Sequence, residues 1–542
     1  MKFSLTEKDI LLSAETLLRE RGNLPGKWTL RIDPALKEEE YCVTQENGLL
    51  SLSGGTAPAV VFGAGRLIRE PDFRGSSAPD KPFRGIYFAT HFGNWYDHAP
   101  EKEIDRYLED LAIWGCNAVK VWFDRHHFRN IMERAARKKL ERLKHIFRKS
   151  ASLGMKTFLT SLANEAYAGS PEALRADWTG GKNGYRVPAI GGHYHVELCP
   201  SRPGAVDLLL HWHEEMLDAF AGIPIHYFEI FSYDQGGCTC EECAPYGANG
   251  YWKIIPRLSD LIRRKYPSCK VVVSTWRFDS FTSGEWENLR SRKELGKYAD
   301  MLSLDNGDVP ELKKFPRRMP AMGFTDISMG RQLPWGGYGA NPCPTFLETL
   351  RGEPYLDGNS AYSEGIYEDM NKIILLGEEW DSSCSAWTMV RKYARFHFGK
   401  ETPGLVEEIV RLLEGNLNHS AIVTQNGGKY SAYATDQVDP GKPWSLDYAV
   451  PAMDKKRAER CLELVMETEK RMDEEKRGSW RWKIIRLRAE IDFALARGDD
   501  PGNAMRKLSR IYRCAEDTLP CLLPPARTTW REIIAQRRNS LV

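Results

Sequence analysis

Seven carboxylates in this 542-residue chain occur where an apolar run gives way to a polar turn. They are Asp124 in VWFDRHH, Glu165 in LANEAY, Asp234 in FEIFSYDQGG, Asp305 and Asp308 after DMLSLDN, Asp326 in GFTDISM and Glu364 in AYSEGIYED. Carboxylates that converge on one pocket repel one another, and some then hold a proton near neutral pH. A pair of them on either side of a bound sugar performs glycoside hydrolysis: one protonates the leaving oxygen, the other attacks the sugar or activates water. Asp at a strand end also serves as a helix cap or turn residue. That is the expectation for Asp305 and Asp308. Asp234 and Glu364, each beside Gly and Tyr in a strand-to-loop turn, are expected to do chemistry, with Asp326 a further candidate.

Polar and aromatic residues collect at the same run ends. His91 and Asn94 follow the first run, Lys120, Arg125, His126 and His127 surround the second, and Arg277 closes the fifth. Tyr233, Gln235, Trp276 and Trp335 complete the set expected to meet substrate, the aromatics by stacking on a sugar's apolar face. Cys238, Cys240 and Cys243 form C-x-C-x2-C directly after Asp234, and Cys199 in HVELCPSRPG lies one loop earlier. Four such thiols make a closed tetrahedral zinc site. A zinc there would be structural, clipping two loops together and aiming Asp234 inward. Thiolate ligation leaves no open position for hydrolytic chemistry, so no cofactor is expected for catalysis.

The elements that must position these groups follow from hydrophobic periodicity. From about residue 83, near-continuous apolar runs alternate with amphipathic helical stretches: FRGIYFATHF, NAVKVWFD, MKTFLTSLA, IHYFEIFSYD, KVVVSTWRFD, DMLSLDN, RMPAMGFTDIS and SAYSEGIYED are the runs. Parallel strands buried on both faces read this way, and eight strand–helix units predict a (β/α)8 TIM barrel with its chemistry at the C-terminal strand ends. No Gly-rich dinucleotide fingerprint follows the first run, which argues against an open doubly wound sheet. Before the barrel, TLRIDP, EYCVTQ and LLSLSG read as short strands and AVVFGAGRLIRE as a helix. After about residue 400 the patterns are helical, with ARGDDPGN a helix–turn–helix junction. The expected organisation is an α/β protein with a small α+β domain over 1–80, the barrel over 81–400 and a helical domain over 401–542.

Composition narrows the class. With 42% hydrophobic and 28% charged residues the chain reads as soluble and globular, and a net charge of +2 gives no reason to expect nucleic acid or an acidic membrane as partner. No run approaches the length of a membrane span. MKFSLTEKDILLSAETLL lacks a signal-peptide pattern, so a cytoplasmic location and twelve mainly reduced cysteines are expected. Sixteen Trp and 22 Tyr suit either a carbohydrate cleft or a large core.

EYCVTQENGLLSLSGGTAPAVVFGAGRLIRE resembles the small domain preceding the barrel in glycoside hydrolase families 20 and 67. FEIFSYDQGG resembles the fourth-strand end of family 20 hexosaminidases, whose motif ends Gly-Gly-Asp-Glu; Asp234 matches the Asp, while Gln235 stands in place of the Glu. The overall plan resembles family 67 α-glucuronidases, which place an acid after strand four and two carboxylates after strands seven and eight. The resemblance implies an exo-acting glycosidase with Asp234 as general acid, Glu364 with Asp326 as base or nucleophile, a carbohydrate substrate, and a helical domain that leaves a homodimer open. The alternatives are a substrate-assisted β-N-acetylhexosaminidase, a barrel that binds carbohydrate without cutting it, and a metal-dependent isomerase or aldolase.

Overall fold

The computed structural model describes residues 5–24, 26–90, 94–177, 196–233, 237–279, 283–327, 340–416 and 454–512. It begins with a helix that the sequence analysis did not assign, Glu7–Arg21, whose Thr6 cap accepts from the Asp9 amide while Asp9 accepts from the Thr6 amide. Strands β1 (Lys27–Ile32), β2 (Tyr41–Glu46), β3 (Leu49–Gly54) and β4 (Gly75–Ser77) form a small sheet in the order β1-β3-β2-β4. The helix Ala57–Arg69 is apolar along most of its surface and lies between this sheet and the barrel helix Glu101–Ile113. Its approach is close: Arg69 Nε donates to the Ile113 carbonyl at 3.0 Å.

Eight parallel strands close the barrel in chain order: β5 (Phe83–Phe88), β6 (Ala118–Trp122), β7 (Lys156–Leu162), β8 (Tyr227–Phe231), β9 (Lys270–Ser274), β10 (Met301–Asp305), β11 (Ala321–Phe324) and β12 (Gly358–Ser363). The barrel read from the sequence is therefore the observed fold. Its seam pairs β12 with β5, from Gly358 opposite Phe83 to Ser363 opposite Phe88. Gly358 has φ 137°, and a Cβ there would fall 1.6 Å from the Phe83 carbonyl oxygen, so only glycine closes the seam at this point.

Successive residues of a strand face opposite sides. The inward set stacks in layers, as TIM barrels do. The lower layer is Phe83, Ala118, Phe158, Tyr227, Val272, Met301 and Met322. The upper layer is Tyr87, Ala89, Trp122, Leu162, Phe324 and Tyr362, with Phe231 and Trp276 against it. Between the two lies an ion pair: Lys120 meets Glu229, which also accepts from Thr160 Oγ1 at 2.6 Å. The ammonium lies over the rings of Tyr87, Phe158, Phe231 and Phe324 at 4.6–5.6 Å. Burial holds the Lys120 pKa below its ordinary value, against the pull of Glu229. Lys120, expected to reach substrate, is thus a core residue: period two points it inward, and Glu229 and the rings enclose it.

Helices follow the barrel through Ala386–Phe398, Pro403–Gly415, Lys455–Glu469, Trp480–Arg497 and Gly502–Tyr512. A buried charge network joins them to the rest. Arg481 Nε donates to Asp369 Oδ2 at 2.7 Å and its Nη2 to Asp110 Oδ2 at 2.8 Å. Asp110 also receives Arg21, and Asp369 also accepts from the Tyr393 hydroxyl at 2.7 Å. One guanidinium therefore ties a C-terminal helix to two barrel helices and, through Asp110, to the first helix of the chain. Among the described residues no helix is long and apolar enough to cross a membrane.

Removing one partner from a buried ion network strands the other charges. Arg481→Met is expected to cost about 3–5 kcal/mol in chemical denaturation, whereas breaking the exposed Arg19–Glu15 pair leaves the midpoint near wild type. Equal, small effects of the two substitutions would contradict the role given to Arg481.

Candidate active site

The upper aromatic layer forms the floor of the face at the C-terminal strand ends. The Trp276 and Phe324 ring centroids are 4.4 Å apart, Phe324 and Tyr362 5.6 Å, and Tyr87 and Tyr362 5.5 Å. As β6 does with Trp122 and Asp124, β11 and β12 each carry a carboxylate two residues beyond a floor ring, hence on the same face: Phe324 then Asp326, and Tyr362 then Glu364. Both acids are buried, at 4% and 2% exposure, and Asp326 extends β11 by a parallel bridge to Tyr362. The Tyr362 hydroxyl donates to Glu364 Oε1 at 3.0 Å. Burial, then the charges of Glu368 and Asp326, pushes the Glu364 pKa well above the ordinary carboxylate range.

The turn that presents Glu364 is held from below. Glu368 accepts from the Glu364 and Gly365 amides at 2.6 and 2.9 Å and from Ser363 Oγ at 2.7 Å. Lys372 donates to the Gly365 carbonyl and to the hydroxyls of Tyr96 and Tyr107 at 2.9 and 2.6 Å. Burial lowers its pKa to about 8, against the pull of Glu368 and Asp369.

Across the mouth, β6 and β7 build a second polar group. Glu165 accepts from Trp122 Nε1 at 3.0 Å and lies 2.6 Å from His126 Nδ1, so His126 stands beyond the C-terminal end of β6 with its ring oriented by a carboxylate. Arg125 is buried beneath, donating to Ser161 Oγ at 2.7 Å and 3.0 Å from His213 Nε2. Glu165 and the floor residues Tyr87, Trp122, Phe324 and Tyr362 were not assigned site roles from the sequence. The signal for the floor was available as an aromatic two residues before each strand-end acid, in WFD, FTD and YSE.

Several expected substrate contacts have internal duties instead. Asn94 caps the short helix Trp95–His98, accepting from the Tyr96 amide at 3.1 Å and donating to the Ala89 carbonyl at 2.7 Å. Tyr233 is fully buried, donating to Glu285 Oε2 at 2.7 Å and to the Arg277 carbonyl at 3.0 Å, which pins the loops after β8 and β9 together. Arg277 is itself buried with φ 57°, a costly backbone for a non-glycine residue. Asp124 pairs with Lys139 at 3.7 Å and His127 at 2.8 Å; burial opposes ionisation there, but these cations hold its pKa well below the ordinary range. Trp276 stands on the floor, half-buried. His91, Asp234, Gln235 and Trp335 lie outside the described residues.

The thiols converge. The Sγ atoms of Cys199, Cys238, Cys240 and Cys243 all lie within 4.8 Å of one another, with Cys199 3.6 Å from Cys240 and 3.8 Å from Cys243. A tetrahedron of sulfurs around zinc, with Zn–S bonds of ~2.3 Å, has edges of ~3.8 Å. The donor set therefore fits that ion. The cluster joins the loops after β7 and β8, which are also stitched by the Thr239 amide and hydroxyl on the Asp177 carbonyl at 2.7 and 2.6 Å.

No protein-family model and no curated protein matches the sequence. Solved structures do match in fold. A family 138 glycoside hydrolase targeting pectin rhamnogalacturonan II is 10% identical with a TM-score of 0.61, over 99% of this chain and 78% of that one. The family 89 glycoside hydrolase of Clostridium perfringens, solved with GlcNAc-α-1,4-galactose, is 12% identical with a TM-score of 0.58, over 92% of this chain and 61% of that one. A family 115 4-O-methyl-α-glucuronidase with specificity for decorated arabinogalactans is 11% identical with a TM-score of 0.58, over 93% of this chain and 72% of that one. The resemblance to glycoside hydrolases is thus a shared fold.

Burial and the Glu368 charge, and after them the Asp326 charge, raise the Glu364 pKa. Asp326→Asn removes that charge and should move the Glu364 titration to lower pH. The readout is the protonated-carboxyl band in pH-difference infrared spectra, assigned by its loss in Glu364→Gln. An unchanged or higher midpoint in Asp326→Asn would contradict the coupling.

Proposed function

We propose that the protein is an exo-acting glycoside hydrolase whose base or nucleophile is the Asp326–Glu364 pair and whose general acid is Asp234. The observation that carries this reading is the buried carboxyl pair at the ends of β11 and β12, set over a floor of aromatic rings. A sugar laid on that floor would present its apolar face to Trp276 and Phe324, as pyranose rings do in aromatic-lined pockets. Glu364, made more basic by burial and by its acidic neighbours, suits proton abstraction from water or attack on the anomeric carbon once the pair releases a proton. Asp234 follows β8 in the sequence, and in this reading it would protonate the leaving oxygen. A separation of about 6.5–9.5 Å between acid and base would give inversion, and about 5–5.5 Å retention. His126, oriented by Glu165, would bind a sugar hydroxyl. The shared fold of three glycoside hydrolases supports the class, and the glucuronidase among them keeps a uronic acid among the candidate sugars.

The four-cysteine cluster is read as a structural zinc site that fixes the loops after β7 and β8, the second of which carries Asp234. With four thiolates the ion is coordinatively closed, so it supplies rigidity and no Lewis acidity. Reduced thiols of this kind suit a reducing compartment such as the cytoplasm.

A panel of chromogenic α- and β-glycosides, with uronides and N-acetylhexosaminides included, tests the function. Release from one sugar class is expected, with Glu364→Gln, Asp326→Asn and Asp234→Asn each lowering kcat by about 10²–10⁴-fold. The wild-type rate should rise with pH along a limb above the ordinary carboxylate range, because Glu364 must lose its proton. Silence across the panel together with calorimetric sugar binding that Glu364→Gln leaves unchanged would instead favour a carbohydrate-binding barrel.

For the cluster, elemental analysis should find about one zinc per chain, lost in Cys243→Ser. Chelation should lower the melting temperature. A metal-free chain with an unaltered melting temperature would remove the zinc.

A further inference from the structure

The C-terminal helices reach the loops that carry the two carboxyls. The helix Trp480–Arg497 runs beside the chain that returns from β11: the Ala340 amide donates to the Ile484 carbonyl at 3.4 Å, and Arg488 Nη1 donates to the Ala340 carbonyl at 3.2 Å. Arg488 is anchored in turn on Asp492 at 2.7 Å, which also accepts from Asn416 Nδ2 at 2.7 Å. The next helix, Gly502–Tyr512, ends against the turn after β12. There the buried Tyr512 packs with its ring centroid 4.6 Å from that of Tyr367, the planes tilted by 37°, and its hydroxyl donates to the Glu364 carbonyl. The fit is tight. A Cβ placed on Gly365 would meet Tyr512 Cε2 and hydroxyl at 2.6 Å and Cζ at 2.7 Å, and its three nearest atoms all belong to that one side chain.

The barrel itself holds the rest of this turn. Glu368 takes the amides of Glu364 and Gly365, and Lys372 takes the Gly365 carbonyl. The Glu364 carbonyl is the group left to the C-terminal unit. We infer that Tyr512 is a positioning residue of the catalytic centre, through which the C-terminal helices fix the backbone of Glu364. The inference rests on the glycosidase reading, since the placement of Glu364 matters to turnover only if Glu364 takes part in it. Its physical basis is general. A catalytic group displaced by about 1 Å can lose ~10²-fold in rate without any change in its chemistry. Rotation of the Glu364–Gly365 peptide, once Tyr512 no longer holds it, shifts the carboxyl relative to Asp326, Glu368 and Tyr362, the groups that face it.

The test uses the full chain and four variants. Tyr512→Phe keeps the ring and removes the hydroxyl; kcat should fall about tenfold with KM changed by less than about threefold, the signature of a loss felt in the transition state. Its melting temperature should stay near wild type, and the acid limb of its pH–rate profile should shift. Gly365→Ala drives a methyl into the Tyr512 ring and should cost about 10²-fold in kcat. In the Tyr512→Ala background the same substitution should cost far less, because the space it needs is open. Unchanged kcat and pH profile in Tyr512→Phe, or an equal Gly365→Ala penalty in both backgrounds, would overturn the inference. If wild type cleaves no glycoside, the glycosidase reading fails separately, and the Glu364 carboxyl band in infrared pH titration then decides. A midpoint that moves in Tyr512→Phe retains Tyr512 as the anchor of Glu364, and an unmoved midpoint removes it.

Discussion

Two neighbouring carboxyl groups held out of water set the terms for the C-terminal face of the barrel. Asp326 and Glu364 cannot both ionise cheaply, and Glu368 beneath them adds a third acidic group. The surrounding structure reads as the means of tolerating that conflict. Glu368 is turned to backbone amides and to Ser363, Lys372 is buried under the turn, and Tyr362 gives its hydroxyl to Glu364. None of these contacts places a cation directly on Glu364. These contacts position the carboxyl and leave its raised pKa in place.

The same economy runs through the barrel. Lys120 and Glu229 occupy the layer under the floor, so the rings above them rest on a buried ion pair. Arg125, Lys139 and Tyr233 are likewise spent on Ser161, Asp97 and Glu285. These buried contacts tie neighbouring strand-end loops to one another. Arg481 does the same at larger scale, joining the first helix, two barrel helices and a C-terminal helix through two aspartates. Rigid support of this kind is what a site with buried, desolvated acids requires.

The barrel was legible because buried parallel strands leave near-continuous apolar runs, and the places of Asp326 and Glu364 just beyond β11 and β12 were legible because two of those runs stop there. Cys199 could be joined to Cys238, Cys240 and Cys243 because the barrel order makes their loops neighbours. What escaped depended on partners far away in the chain. Lys120 looked like a rim cation until Glu229, over a hundred positions later, enclosed it. Tyr233 and Asn94 sit at strand ends as substrate contacts would, and nothing local reveals that one bonds Glu285 and the other caps a four-residue helix. The helix Glu7–Arg21 was read only for targeting signals, although its Thr6–Asp9 capping box is a start signal in its own right. Tyr512 lies 148 residues from the carbonyl it holds, beyond the reach of any periodic pattern.

The central claim is that a sugar lies on the aromatic floor with its reacting carbon beside the Asp326–Glu364 pair. The most direct measurement is a crystal structure of Glu364→Gln soaked with the sugar whose release the wild type catalyses. The account predicts a pyranose ring stacked over Trp276 and Phe324, its anomeric carbon within about 3–3.5 Å of the pair or of a water held by it. A sugar bound away from that floor, with its anomeric carbon out of reach of the pair, would contradict it.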